Sequence, residues 1–172
     1  MRAEQFQPTL DGEGRLLLLI AGFSRGSRVL EGRTKLAKLD FLLRYPSYLT
    51  RALQLRKPDL AIGSLSEEEP DLEGSMVRYR YGPWDPSYFA LLGRLIGKGL
   101  VQPVPFVRGI GYRATDRGRG VAGELAREPA WEDTAARVAL LTRHFNLSGT
   151  SLMKFVYKHF PEVTQASWGD AL

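Results

Sequence analysis

The stretch YGPWDPSYFALLGRLIGKGLV, Tyr81 to Val101, decides how the chain folds. Asp85 has the side chain of a helix N-cap, and Pro86 the fixed φ of a first helical residue. Tyr88, Leu91, Leu92, Leu95 and Ile96 recur at the i, i+3, i+4, i+7, i+8 spacing of one helix face. Gly99 stands where a helix ends on a left-handed residue. Together these predict a helix over 85–98. Beyond it LVQPVPF is extended, and Pro103 and Pro105 confine it to a sheet edge. VRGIG turns and GYRAT returns as a second strand. Helix, strand, glycine turn, strand is the pattern of a winged helix.

Upstream, residues 1–11 are polar and read as a flexible N-terminus. A first helix is expected over 12–22 with Leu16, Leu17, Leu19 and Ile20 buried. SRGSRVLEGR is basic and punctuated by glycine, so it reads as a loop. TKLAKLDFLLRY is a second helix, with Asp40 four residues before Arg44 in the favourable order for an ion pair. PSYLTRALQLR restarts as a third, with Pro46 in its first turn. Lys57 to Ser75 carries six acids and reads as a solvated loop; MVRYRY after it alternates like a strand. Downstream, helices are expected in TDRGRGVAGELARE with Thr115 or Asp116 as cap, in AWEDTAARVALLTRHF, and in SGTSLMKFVYKHF up to Pro161. The expected fold is mainly α with a small β-wing. It is a winged helix-turn-helix-like single domain, 1–172, with its core at 12–115, a loop insertion at 57–75, additional C-terminal helices at 116–161 and a tail at 162–172.

A chain of 172 residues, 44% hydrophobic and 25% charged, can bury a core without staples. It has no cysteine, which removes disulfides, thiol catalysis and cysteine-built zinc sites and fits a reducing, cytoplasmic setting. The longest apolar run, Leu16 to Phe23, is too short to span a membrane. The segment before it carries Glu4, Asp11 and Glu13, unlike a secretory signal.

Chemistry-bearing motifs are thin. No Walker phosphate loop and no nucleophile elbow is present. DRGRGVAG matches the bare G-x-G-x-x-G spacing, but no second strand of a βαβ unit follows it. His144 and His159 lie on different expected helices without acids at ligand spacing. No catalytic residue, metal ligand, cofactor or small-molecule substrate is expected, and the chain reads as a non-enzyme.

What remains is charge and aromatic surface. Basic residues group as Arg25, Arg28, Arg33, Lys35 and Lys38; as Arg94 and Lys98; and as Arg108, Arg113, Arg117 and Arg119. In a winged helix these can meet phosphates from a helix face and a wing tip, while any one of them taken singly reads as an ordinary solvated position. Tyr79, Tyr81, Trp84, Tyr88 and Phe89 form a dense aromatic set, read as core first and as a binding patch second. Two features oppose a simple DNA reader. A helix-turn-helix joins its helices by roughly three or four residues, whereas Lys57 to Asp85 intervenes here. The acidic tract in that gap would also repel phosphates.

EGRTKLAKLDFLLRYPSYL, RYGPWDPSYFALLGRLIGKGLV and GYRATDRGR together resemble the winged-helix middle components of bacterial three-component ABC ATPase systems of the Lamassu-like anti-phage kind. The resemblance spans about Glu31 to Pro161, on short motifs. It implies a non-enzymatic adaptor that binds an SMC-like ABC ATPase and an effector and couples DNA sensing to effector release. Partner-binding candidates are then Arg33, Lys38, Arg44, Tyr81 and Trp84. Arg94, Lys98, Arg108 and Arg113 are candidates for DNA phosphates inside the assembly. The alternative is a sequence-specific winged-helix transcriptional regulator, dimeric through the C-terminal helices; a catalytic effector is a third.

Overall fold

The computed structural model describes residues 7–61, 76–79 and 82–172. Tyr81, most of the acidic tract and the first six residues lie outside them. The described residues are mainly helical with a small β part. Helix α1 (Leu10–Phe23) is followed by α2 (Arg33–Arg44), α3 (Pro46–Arg56), strands β1 (Val77–Tyr79) and β2 (Gly82–Trp84), and α4 (Tyr88–Gly97). Then come β3 (Val101–Phe106), β4 (Gly109–Ala114), α5 (Asp116–Leu125), α6 (Glu132–His144), α7 (Gly149–His159) and α8 (Pro161–Gln165). No helix among the described residues is long and apolar enough to cross a membrane.

α1 forms the centre. Leu16 to Ile20 and Phe23 are all buried, so the helix is covered on every side rather than along one stripe. α4, α5, α6, β4 and α2 supply that cover. Thr9 caps it by accepting from Gly12 N–H at 2.9 Å, two residues earlier than the expected start. α2 lies next to α1 and is itself enclosed by α3, α6, α7 and β2. Burial of Leu36, Leu39, Phe41, Leu42 and Leu43 follows its heptad-like spacing.

α4 starts later than Asp85 and Pro86 suggest. Asp85 is not the cap of a helix beginning at Pro86. Its carboxylate turns inward, accepts from Ser87 N–H at 2.8 Å and Ser87 Oγ–H at 2.6 Å, and holds a turn from which the helix begins at Tyr88. The far end agrees with expectation. Gly99 has φ +71, its N–H reaches Ile96 O, and Leu100 N–H reaches Leu95 O, which together satisfy the last carbonyls.

β3 and β4 pair antiparallel from Val101↔Ala114 to Phe106↔Gly109, turning at Val107 and Arg108. Leu30, in the stretch expected to be loop, exchanges both backbone bonds with Tyr112 at 2.9 Å. The spatial order is thus Leu30, β4, β3. Since Tyr112 spends its N–H and C=O on Leu30, its partner Pro103, and Pro105 two residues on, face the free edge of β3. α5 begins under this hairpin, with Thr115 accepting from Gly118 N–H as the cap. Gly118 is obligatory there: a Cβ would sit 1.9 Å from Leu100 O.

The strand β2, the helix α8 and the strap after it were not foreseen. Gly82–Trp84 folds back on β1 as a second hairpin strand, with register Val77↔Trp84 and Tyr79↔Gly82. The expected tail is organised too: after α8 the chain forms a strap along β1. Arg78 N–H donates to Asp170 O, Gly169 N–H to Arg78 O, and Leu172 N–H to Met76 O.

Candidate interaction face

The polar residues inside the core fix where α4 sits. Asp40, fully buried on α2, accepts from Arg15 Nε at 2.6 Å and from Tyr88 Oη at 2.7 Å. Arg44, one turn along, lies 3.8 Å from Asp40 and donates to Asp85 Oδ2 at 2.7 Å. Two carboxylates and two guanidiniums thereby close into a balanced buried set that ties α1, α2 and the start of α4 together. Burial opposes the Arg44 charge, but Asp40, Tyr88 and Asp85 outweigh it and hold its pKa above the ordinary value. Burial raises the Tyr88 hydroxyl well above its ordinary range, with Asp40 adding to it. The expected Asp40–Arg44 pair is present. The longer-range partners Arg15, Asp85 and Tyr88 had no sequence signal beyond a charge or hydroxyl inside an apolar pattern.

With Tyr88, Leu91, Leu92 and Leu95 packed inward, the 3.6-residue turn sends the rest of α4 outward. Around the helix the order is Ile96, Phe89, Gly93, Gly97, Ala90, then Arg94 and Lys98. The outward stripe is therefore apolar and small, with cations only along one flank. Phe89 is 62% exposed. The Arg33 guanidinium covers it at 4.2 Å from the ring centroid, and Trp84 lies 6.4 Å away on its other neighbour side. Phe89 thus brings together two expected partner-binding residues, Arg33 and Trp84. Trp84 is half-buried and stands edge-on to Tyr88 at 5.2 Å, so it is both core wall and rim.

A Cβ placed on Gly32 would lie 3.9 Å from Ile110 O and from the Phe106 ring, so the start of α2 stands beside the β3–β4 hairpin. Ile110 and Val107 are exposed on that hairpin. The hairpin, the start of α2 with Arg33, Phe89 and outer α4 therefore follow one another.

The other expected residues fall elsewhere. Arg44 is internal, as described. Lys38 is buried on α2, its ammonium 3.3 Å from Thr34 O; burial, then the nearby Arg78 cation, lower its pKa to about 8. Neither faces outward in this chain. Lys35 is also enclosed, 3.9 Å from Glu31, so within the first basic group only Arg25 and Arg28 are solvated and Arg33 is half-buried. Arg94 and Lys98 converge on Glu13 of α1. Lys98 bonds its carboxylate directly, and Arg94 lies 3.5 Å from it while donating to Pro8 O. Arg108 stands at the β3–β4 turn, 3.5 Å from Thr150 Oγ1 of α7. Arg113 donates to Ser27 O at 3.0 Å and pins the basic loop. The four phosphate candidates are therefore held by three different elements.

Among the described residues no group of His, Asp or Glu is arranged to hold a metal ion. Comparison with protein families, curated proteins and solved structures finds no match to the chain.

Proposed function

We propose that the chain is a non-enzymatic adaptor subunit built on a winged-helix core. Its element order supports that core: α1, the Leu30 bridge, α2, α4, and the β3–β4 hairpin, with Leu30 next to β4. In this reading α3 and the β1–β2 hairpin are inserted between the two helices that a compact helix-turn-helix would join directly. The observation that carries the adaptor function is the outward side of α4. Where a DNA reader presents a basic, hydrogen-bonding surface to the major groove, α4 presents Phe89, Ala90, Gly93, Ile96 and Gly97. Its two cations share the Glu13 carboxylate. The resemblance of Glu31 to Pro161 supplies the partner: an SMC-like ABC ATPase, with an effector, in a bacterial defence complex.

Co-expression of the tagged chain with the ATPase encoded beside it tests this. Recovery of a stoichiometric complex supports the adaptor; recovery of the chain alone overturns it. The exposed wing-tip Arg108 favours the second reading, a sequence-specific regulator. Tight, salt-sensitive binding of the isolated chain to one palindromic duplex would establish that reading instead.

A further inference from the structure

Gly93 and Gly97 occupy the interior and end of α4, yet a Cβ at either position meets nothing within 4 Å. Glycine inside a helix lowers stability relative to alanine. Nothing among the described residues explains it there. The two glycines lie one turn apart, in line with Phe89, and leave a shallow groove bordered by Ile96 and Ala90. α5 carries two open glycines as well, Gly120 and Gly123, but among Arg117, Arg119, Asp116 and Glu124 rather than beside exposed aromatics.

The groove also has a sign. Arg94 and Lys98 run along one flank, and Arg33 lies over Phe89; the ion pairs of these three bring only the Glu13 carboxylate among the described residues. Three cations to one carboxylate leave the rim positive.

We infer that this groove is the seat of an acidic amphipathic helix belonging to the partner protein. Large apolar side chains of that helix lie over Gly93 and Gly97 beside Phe89, because missing side chains let two backbones approach closely. Its carboxylates meet Arg33, Arg94 and Lys98. Helix-in-groove recognition of this kind takes its affinity from apolar anchors at helical spacing and its orientation from the charged rim. A second copy of this chain is a poorer occupant, because it would bring the same cations against themselves. The inference rests on the adaptor function proposed above and names the surface that carries it.

The full-length chain is the reagent, with Gly93→Leu, Phe89→Glu and Arg33→Glu as variants. A melting temperature no lower than the parent's and unchanged circular dichroism establish that each is folded. Two probes are used: the neighbour-encoded ATPase in co-purification, and a synthetic Glu/Leu amphipathic helix against its Lys/Leu counterpart in fluorescence polarisation. Expected are capture of the ATPase by the parent chain, at least tenfold weaker capture by each variant, and preference for the Glu/Leu helix. If the parent captures the ATPase and all three variants capture it equally, the groove assignment is overturned and the adaptor function stands. If the parent captures no ATPase, the adaptor function falls and the peptides decide the groove: equal binding, or preference for the Lys/Leu helix, overturns it. A dimer of the chain abolished by Gly93→Leu would overturn the partner-helix assignment in favour of a second copy.

Discussion

Arg44 shows what a single side chain does in this fold. It is 6% exposed and touches two carboxylates, so removing it leaves buried negative charge behind. Breaking a buried pair from one side costs about 3–5 kcal/mol, far more than the intact pair contributes. Arg44→Met is expected to lose that amount in urea denaturation, and Arg44→Met combined with Asp85→Leu to recover part of it. Equal losses in the single and double variants would mean that Asp85 is not the partner that matters. Lys38 works in the opposite sense. Its folded pKa of about 8 lies below the ordinary 10.5, so the unfolded chain holds more protons between those values. Stability then rises with pH from about 8 towards 10. Above about 10 the tyrosines reverse the trend, since burial keeps Tyr88 protonated while its unfolded counterpart ionises. Lys38→Met is expected to flatten the rise between pH 8 and 10 and to stabilise the protein at pH 7 by on the order of 1–3 kcal/mol. Melting temperatures across that range give the comparison. The Asp40–Arg44 contact was legible in the sequence because both residues lie one turn apart on one helix. The Arg44–Asp85 bond joins residues 41 apart and became visible only once α2 and α4 were docked.

At the scale of an element, α4 and α5 use glycine for opposite reasons. Gly118 is required by contact, and Gly118→Ala is expected to cost about 3 kcal/mol or more, since backbone must move to admit the Cβ. Gly93 and Gly97 are unconstrained, and Gly93→Ala is expected to stabilise the isolated chain by roughly 0.5–1 kcal/mol. Chemical denaturation of the two variants measures both signs; destabilisation by Gly93→Ala would show that the helix surface there is already occupied. The helices α1 to α7 were legible, because apolar periodicity marks a buried side; the five-residue α8 is too short to show one and was read as tail. The missed elements share a cause. Gly82–Trp84 carries a proline and too few residues for alternation to register, and the strap after α8 is held by backbone bonds to β1 that leave no side-chain pattern. Lys35 and Lys38 misled in another way: charge suggested solvent, whereas their stems are covered by the elements around α2.

For the molecule as a whole, net charge is +5, yet the phosphate candidates, two at the end of α4 and two on the β3–β4 hairpin, are tied to three separate partners on α1, α7 and the loop at Ser27. Dispersed cations support weak, sequence-independent association. The isolated chain is expected to bind duplex DNA no more tightly than about 10⁻⁵ M at physiological salt, with Arg108→Glu weakening it similarly on every sequence. Fluorescence anisotropy over a salt series measures this, and a strongly preferred sequence would contradict it. A mainly helical fold with a small β part was legible from composition and period, whereas the central place of α1 was not. The outward side of α4 was legible from the predicted stripe, except for Ile96, which the stripe placed inward and which stands exposed at its margin.

The placement of Pro103 and Pro105 has a consequence for how the protein behaves when concentrated. Both stand on the outer margin of β3, where an incoming strand would need amide donors and finds none. The hairpin therefore makes a poor template for edge-to-edge stacking, and fibre growth is blunted at this margin.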